Sequence, residues 1–198
     1  QARRAPRDMK FFKAFFRSPR EVGWFVPTSP YTCKKLASVV MPETRRIIEL
    51  GTGVGNVTKH ILRRMGQKGQ LLSIEKDADL AAEASQKFRD PRINVVCGDV
   101  ADLVDIANAR GFGQTECIIS TVTLALMPRD LKIKVLESCL QLLVPNGTFV
   151  QIQYSTHLKK LIRSYFPQSQ MKLSAFNLPP TFYMVGRKTA PKAVAAVR

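Results

Sequence analysis

From Arg45 onward the chain repeats one alternation: a short apolar run, a turn, then a segment with apolar residues on one helical face. "RRIIEL" is followed by "NVTKHILRRM", in which Val57, Ile61, Leu62 and Met65 fall at helical spacing. The same order returns in "QLLSIE" and "DADLAAEASQKF", "INVVCG" and "DLVDIANARG", "ECIIS" and "PRDLKIKVLESCLQLL", and "GTFVQIQY" and "HLKKLIRSYF". Five strand-helix units in succession imply parallel strands with helices on both faces of the sheet. Two more extended runs, "QMKLSAF" and "TFYMVGR", are joined only by the turn-like "NLPP", which suits an antiparallel pair. The expected fold is therefore a doubly wound α/β sheet of seven strands, mostly parallel, with an antiparallel last strand. At 198 residues the chain is most simply one domain. A core over 42–187 is expected to follow a basic helical segment at 1–35 and to precede a frayed tail at 188–198.

The charge is unevenly placed. Of the net +16, residues 1–35 carry +7 and residues 155–198 carry +8, so the middle of the chain is nearly neutral. Both ends thus point to a polyanionic partner, an anionic membrane or a nucleic acid. No run of uncharged apolar residues is long enough to span a bilayer, and the Phe-rich start lacks the features of a secretory signal, so a cytoplasmic setting is expected. Cys33, Cys97, Cys117 and Cys139 form no CxxC pair and have no histidines nearby, which argues for reduced thiols and against a metal site.

"ELGTGVG" places Gly51, Gly53 and Gly55 between the first strand and the next helix, where backbone can turn tightly and approach a ligand. A dinucleotide fingerprint wants glycine where Asn56 stands, and Glu49 just before the turn sits poorly beside a pyrophosphate. The ligand at this turn is therefore expected to be cationic. Glu75, ending the second strand, can accept from ribose hydroxyls, and Asp99, after the third, from an adenine amino group. S-adenosylmethionine carries all of these groups. Thr52, Lys76, Gly98, Val100 and Ser120 flank these anchors and complete the expected cofactor-binding set. The constellation resembles the class I S-adenosylmethionine-dependent methyltransferases, with their Rossmann-like core. The acidic or amide residue followed by two prolines, with which base-amine methyltransferases hold their substrate, is absent after the fourth strand, where Ser120-Thr121-Val122-Thr123 stands.

"DMKFFKAFFRSPREVGW" sets Phe11, Phe12, Phe15 and Phe16 on one stripe of a helix, with Lys10, Lys13 and Arg17 beside or opposite it. A basic amphipathic helix of this composition suits an anionic membrane interface, and the alternative is that the stripe packs on the protein's own core. "FFKAFFRSPREVGWFVPTSPYTCKKLAS", "IIELGTGVGNVTKHIL", "CIISTVTLALMP" and "FNLPPTFYMVGRK" together resemble the bacterial phospholipid N-methyltransferases. That resemblance implies methylation of phosphatidylethanolamine and its methylated derivatives toward phosphatidylcholine by a peripheral enzyme at the inner face of the cytoplasmic membrane. It also implies an N-terminal helix lying over the methyl donor. Tyr31, Tyr154 and Tyr183 are candidates for lining the acceptor site, and His157 for taking the amine's proton. Thr28 and Ser29 could meet the donor's carboxylate or a lipid phosphate, and the run of His157, Lys159, Lys160 and Arg163 could meet the phosphate too. Two other readings stay open: an RNA methyltransferase with a basic substrate surface, and a membrane protein that binds the cofactor without turnover.

Overall fold

The computed structural model describes residues 28–189. The stripe of Phe11, Phe12, Phe15 and Phe16 and the chain beyond Thr189 lie outside the described residues. The first described helix, α1 (Pro30–Leu36), begins where sequence chemistry favours it: Ser29 Oγ accepts the Thr32 amide at 3.2 Å, and proline takes the first helical position, where its missing N–H leaves nothing unpaired. Its inner face, Thr32, Cys33 and Leu36, is fully buried. Thr32 and Cys33, expected in the lid, are thus built into the core, while Pro30, Tyr31, Lys34 and Lys35 stay exposed.

Strands and helices then alternate: β1 (Arg46–Leu50), α2 (Thr58–Arg64), β2 (Gln70–Glu75), α3 (Ala78–Lys87), β3 (Ile93–Cys97), α4 (Leu103–Ala109), β4 (Thr115–Ser120), α5 (Arg129–Leu142), β5 (Leu143–Gln153), α6 (Lys159–Tyr165), β6 (Gln170–Ser174) and β7 (Thr181–Arg187). One seven-stranded sheet results, in the order β3-β2-β1-β4-β5-β7-β6. The first five strands of that order are mutually parallel, and β7 runs antiparallel between β5 and β6. This is the Rossmann-like, mostly parallel architecture expected from the alternation.

Two boundaries differ from the pattern in the sequence. β5 starts at Leu143, four residues before "GTFVQIQY". Pro145 and Asn146 look like breakers, yet Leu143 pairs with Thr115, and a register shift between Thr115 and Cys117 absorbs the irregular pair. Lys188, expected in a frayed tail, is instead pinned to β5: its amide donates to Gly147 O at 2.9 Å and its Nζ to Leu143 O at 2.6 Å.

Alternation along the strands divides the core in two. Ile48, Leu50, Leu72, Ile74, Ile118, Phe149 and Met184 face α4, α5 and α6, while Ile47, Leu71, Ile119, Val150 and Ile152 face α1 and α2. Strand order reverses between β1 and β4, so the crossovers leaving them part to opposite faces and open a crevice at their carboxyl ends. In the first cluster Phe166 is fully buried and stacks on Phe149, with ring centroids 4.7 Å apart and planes 12° from parallel. Phe166→Ala is expected to lower unfolding free energy by about 3–5 kcal/mol in urea titrations, since it leaves an aromatic-sized cavity against a ring that cannot follow.

Candidate active site

The turn leaving β1 lies at that crevice. Gly51, Gly53 and Gly55 all have positive φ, at 83°, 51° and 77°. At Gly51 a Cβ would stand 2.9 Å from Thr121 Oγ1 and at Gly55 one would stand 2.3 Å from Phe88 Cε2, so the turn presses on the exit of β4 and on the end of α3 with no space for a side chain. Gly53 is different: nothing among the described residues lies within 4 Å of a Cβ built there, which leaves an open stretch of backbone.

Glu49 is the most constrained group beneath the turn. It is fully buried on β1, and its Oε2 accepts from Thr58 Oγ1 at 2.8 Å and from Ser73 Oγ at 2.7 Å. Thr52, also buried, shares a 2.7 Å hydrogen bond with the same Ser73 hydroxyl. Oε1 has no partner among the described residues. Burial pushes the carboxyl up from its ordinary 4.5 to about 7, against the lowering effect of the Ser73 and Thr58 hydroxyls.

Two further acids continue the row across the strand ends. Glu75 Oε2 accepts the Gly53 amide at 2.7 Å and Oε1 the Asp77 amide at 3.0 Å, so the end of β2 is tied to the turn. Each oxygen retains capacity for another donor. Asp99 pairs with Lys76 at 2.8 Å and accepts the Ala101 amide at 2.9 Å, which hold its carboxyl below the usual range. Gly98 lies against Ile106, and Val100 is buried behind it. Ser120, the last residue of β4, pairs in register with Leu50 at the root of the turn.

Glu49, Gly51, Thr52, Gly53, Gly55, Glu75, Lys76, Gly98, Asp99, Val100 and Ser120 therefore share the carboxyl edge of β1 to β4. Ser29 and Thr28 are placed otherwise: Ser29 caps α1, its amide donates to Asn177 Oδ1 at 2.8 Å, and Thr28 O accepts the Cys33 thiol at 3.3 Å. Tyr183 is buried on β7, Tyr154 is half-buried just past β5, and burial raises both phenols. Tyr31 is exposed and meets Phe176 edge-on at 4.9 Å, while His157 is exposed three residues beyond Tyr154. The motif spacing does not point to Thr58, Ser73 or Thr121, although the first two hold Glu49 and Thr121 Oγ1 donates to Gly51 O at 2.6 Å. A hydroxyl inside an apolar strand, as in "LLSIE", is the one trace of them in the sequence.

Among the described residues no group of three His, Cys, Asp or Glu is placed to hold a metal. The donor set instead fits a cationic nucleoside: an unpartnered buried carboxylate oxygen, an open glycine backbone and two strand-end acids.

Residues 47–147 match a family model described as a methyltransferase domain. The chain belongs to that family, and its methyl donor is S-adenosylmethionine. An ornithine lipid N-methyltransferase of Singulisphaera acidiphila is 28% identical over 173 residues, covering 86% of this chain and 90% of that protein. Ribosomal RNA small subunit methyltransferase A of Pelagibacter ubique is 29% identical over 86 residues, 43% of this chain and 32% of that protein. Among solved structures, an O-methyltransferase from Bacillus cereus in complex with S-adenosylhomocysteine superposes with a TM-score of 0.67 at 14% identity, covering 90% of this chain and 91% of that one, which is a likeness of fold.

Glu49 gives the site a definite pH response. With a pKa of about 7 against 4.5 unfolded, the folded state holds its proton more tightly, so the stability this group contributes is full below 4.5 and is lost as pH rises through 7. A bound cation demands the ionised form. Donor affinity measured by calorimetry is expected to fall by up to about tenfold per pH unit below 7. Glu49→Gln should bind more weakly at pH 8, show no such slope, and gain melting temperature relative to the parent between pH 5 and pH 8.

Proposed function

We propose that this chain N-methylates the amine of an aminolipid headgroup at a membrane surface, with phosphatidylethanolamine and its methylated derivatives as acceptors on the way to phosphatidylcholine. The observation that carries the reading is the match along almost the whole chain to a protein named for methylating the nitrogen of a lipid. The matches to ribosomal RNA methyltransferases are confined to less than half of the chain.

The surface beside α1 supports a lipid-facing orientation. Leu173, Phe176 and Leu178, between β6 and β7, are 60%, 72% and 66% exposed, and Tyr31 of α1 packs on Phe176. Lys35 Nζ stands 5.4 Å from the Tyr31 ring centroid, and Lys34 and Lys172 are exposed nearby in the chain. Exposed apolar side chains rimmed by cations suit an anionic lipid interface. The Phe11, Phe12, Phe15 and Phe16 stripe, with its flanking bases, adds a second anchor in this reading and places the enzyme at the inner face of the cytoplasmic membrane.

When bound, S-adenosylmethionine supplies an electrophilic methyl group, which the acceptor nitrogen's lone pair takes as the carbon-sulfur bonding pair returns to sulfur. The residues of this chain hold and orient. Glu49 faces the donor's positive charge, the Gly51–Gly55 backbone admits its chain, and Glu75 and Asp99 meet its ribose and base. Tyr154, half-buried just past Gln153, is the candidate aromatic wall that tolerates the positive charge arriving on nitrogen, whereas Tyr183 packs on the α1 face of the sheet. His157, exposed three residues beyond Tyr154, is the candidate to take the amine's proton and pass it to water. Positioning of a neutral amine in line with the methyl group supplies much of the acceleration.

The test supplies labelled donor with anionic vesicles holding phosphatidylethanolamine, with vesicles holding ornithine lipid, or with total RNA. Label in phosphatidylethanolamine is expected. Label in ornithine lipid alone moves the acceptor to that lipid, and label in RNA alone overturns the reading. Deleting residues 1–18 should abolish vesicle labelling while donor affinity stays within twofold. Replacing Phe176 and Leu178 together with serine should weaken vesicle binding in flotation assays by at least tenfold, because each side chain contributes about 1.5–3 kcal/mol when buried in lipid.

A further inference from the structure

The adjacent ends of β4 and β5 carry buried polar side chains that no described residue answers. Ser120 and Gln151 are register partners and both fully buried. Gln153, two residues on and thus on the same face, is 4% exposed. Ser120 Oγ, Gln151 Oε1 and both amide atoms of Gln153 have no hydrogen-bond partner among the described residues. The orientation of Gln151 is forced: Nε2 donates to Val122 O at 2.9 Å and to Ile152 O at 2.6 Å, two atoms that can only accept, so its oxygen must point away from them.

Unpaired buried amides destabilise a fold, and methionine or leucine would fill the same space without that penalty. Three such groups side by side call for a partner that arrives with the substrate. Their position says where it reacts. Ser120 is in register with Leu50, and the next residue, Thr121, is bonded to Gly51 of the glycine turn. Just past Gln153 the chain comes up toward solvent through half-buried Tyr154 and Ser155 to exposed Thr156.

We infer that Ser120, Gln151 and Gln153 form the seat of the acceptor amine, their neutral oxygens accepting its N–H groups beside the methyl donor. This inference rests on the aminolipid reading above. Neutral acceptors suit the chemistry: a carboxylate in this place would hold the amine as ammonium and withhold its lone pair, whereas amide and hydroxyl oxygens orient it without that effect. The seat also ranks its substrates. Every methyl group added removes one N–H from the neutral amine, so the grip loosens from two such groups in the primary amine to one in the monomethyl amine, and the dimethyl amine has none left to offer.

Gln153→Met provides the clean test, because that side-chain amide makes no hydrogen bond among the described residues. With phosphatidylethanolamine vesicles and the full-length protein, kcat/KM should fall at least tenfold while donor affinity stays within twofold and the melting temperature holds or rises. Gln153→Glu should restore an acceptor but move the rise of kcat/KM to higher pH. A Gln153→Met enzyme that methylates vesicle lipid like the parent overturns the seat and leaves the aminolipid reading intact. Loss of donor affinity in step with activity also overturns it, since that marks a structural role. If Gln153→Met does not fold, Gln153→Leu removes the same unpartnered amide and is judged by the same readouts. A parent enzyme that labels no lipid overturns the aminolipid reading and the seat together.

Discussion

A carboxylate with no cation beside it, sealed in the middle of a parallel sheet, is the constraint around which this protein is arranged. Glu49 sits on the central strand β1 with no exposed surface. An uncompensated charge there is costly, so the fold surrounds one oxygen with hydroxyls from two different elements, Thr58 of α2 and Ser73 of β2, and extends the network to Thr52 of the turn. The other oxygen has no partner among the described residues. Strand pairing, helix start and turn geometry are thereby fastened to one another at the point where a positive ligand would lie. Burial raises the pKa of this group to about 7, and a nearby cation would bring it down again.

Much of this was legible in the chain because it depends on period and punctuation. Alternation of apolar runs with helical stripes specified the sheet, and the glycines of "ELGTGVG" located the turn. Both are local properties, and local patterns survive without knowledge of tertiary contacts. The acids could be placed in one row because each stands at or next to the end of a strand, and parallel strands bring their carboxyl ends together. What stayed hidden is pairwise. Ser73 and Thr58 become partners of Glu49 only through the pairing of β1 with β2 and the docking of α2, and nothing in their spacing announces it. The polar face of Ser120, Gln151 and Gln153 needs the β4–β5 register to exist at all. Ser29 could be named from its place before a proline but not assigned: its hydroxyl serves the helix, and its amide reaches a loop 148 residues away.

That long-range contact joins the two basic ends of the chain. Asn177 receives the amide of Ser29 and donates to Pro179 O, so it couples the start of α1 to the loop between β6 and β7. Thr32 and Ser174 repeat the connection at 2.7 Å in a fully buried hydroxyl pair. Tyr31 and Phe176 extend it to the surface as an edge-on aromatic contact. Three contacts from consecutive turns of chain make one unit of α1 and the loop, although they are far apart in sequence.

The consequence is mechanical as well as topological. Cys33 and Leu36, on the buried face of the same helix, pack into the cluster that contains Ile61 of α2, Ile47 of β1 and Tyr183 of β7. A force on the exposed rim at Phe176 and Leu178 therefore reaches, through Tyr31 and the body of α1, the strand that carries Glu49 and the strand that carries Tyr183. Packed interiors move as coupled bodies because their contacts leave few voids to absorb a shift. The near-neutral middle of the chain carries Glu49, Glu75 and Asp99, whereas Ser29 and Asn177, which tie α1 to the loop between β6 and β7, belong to its two basic ends.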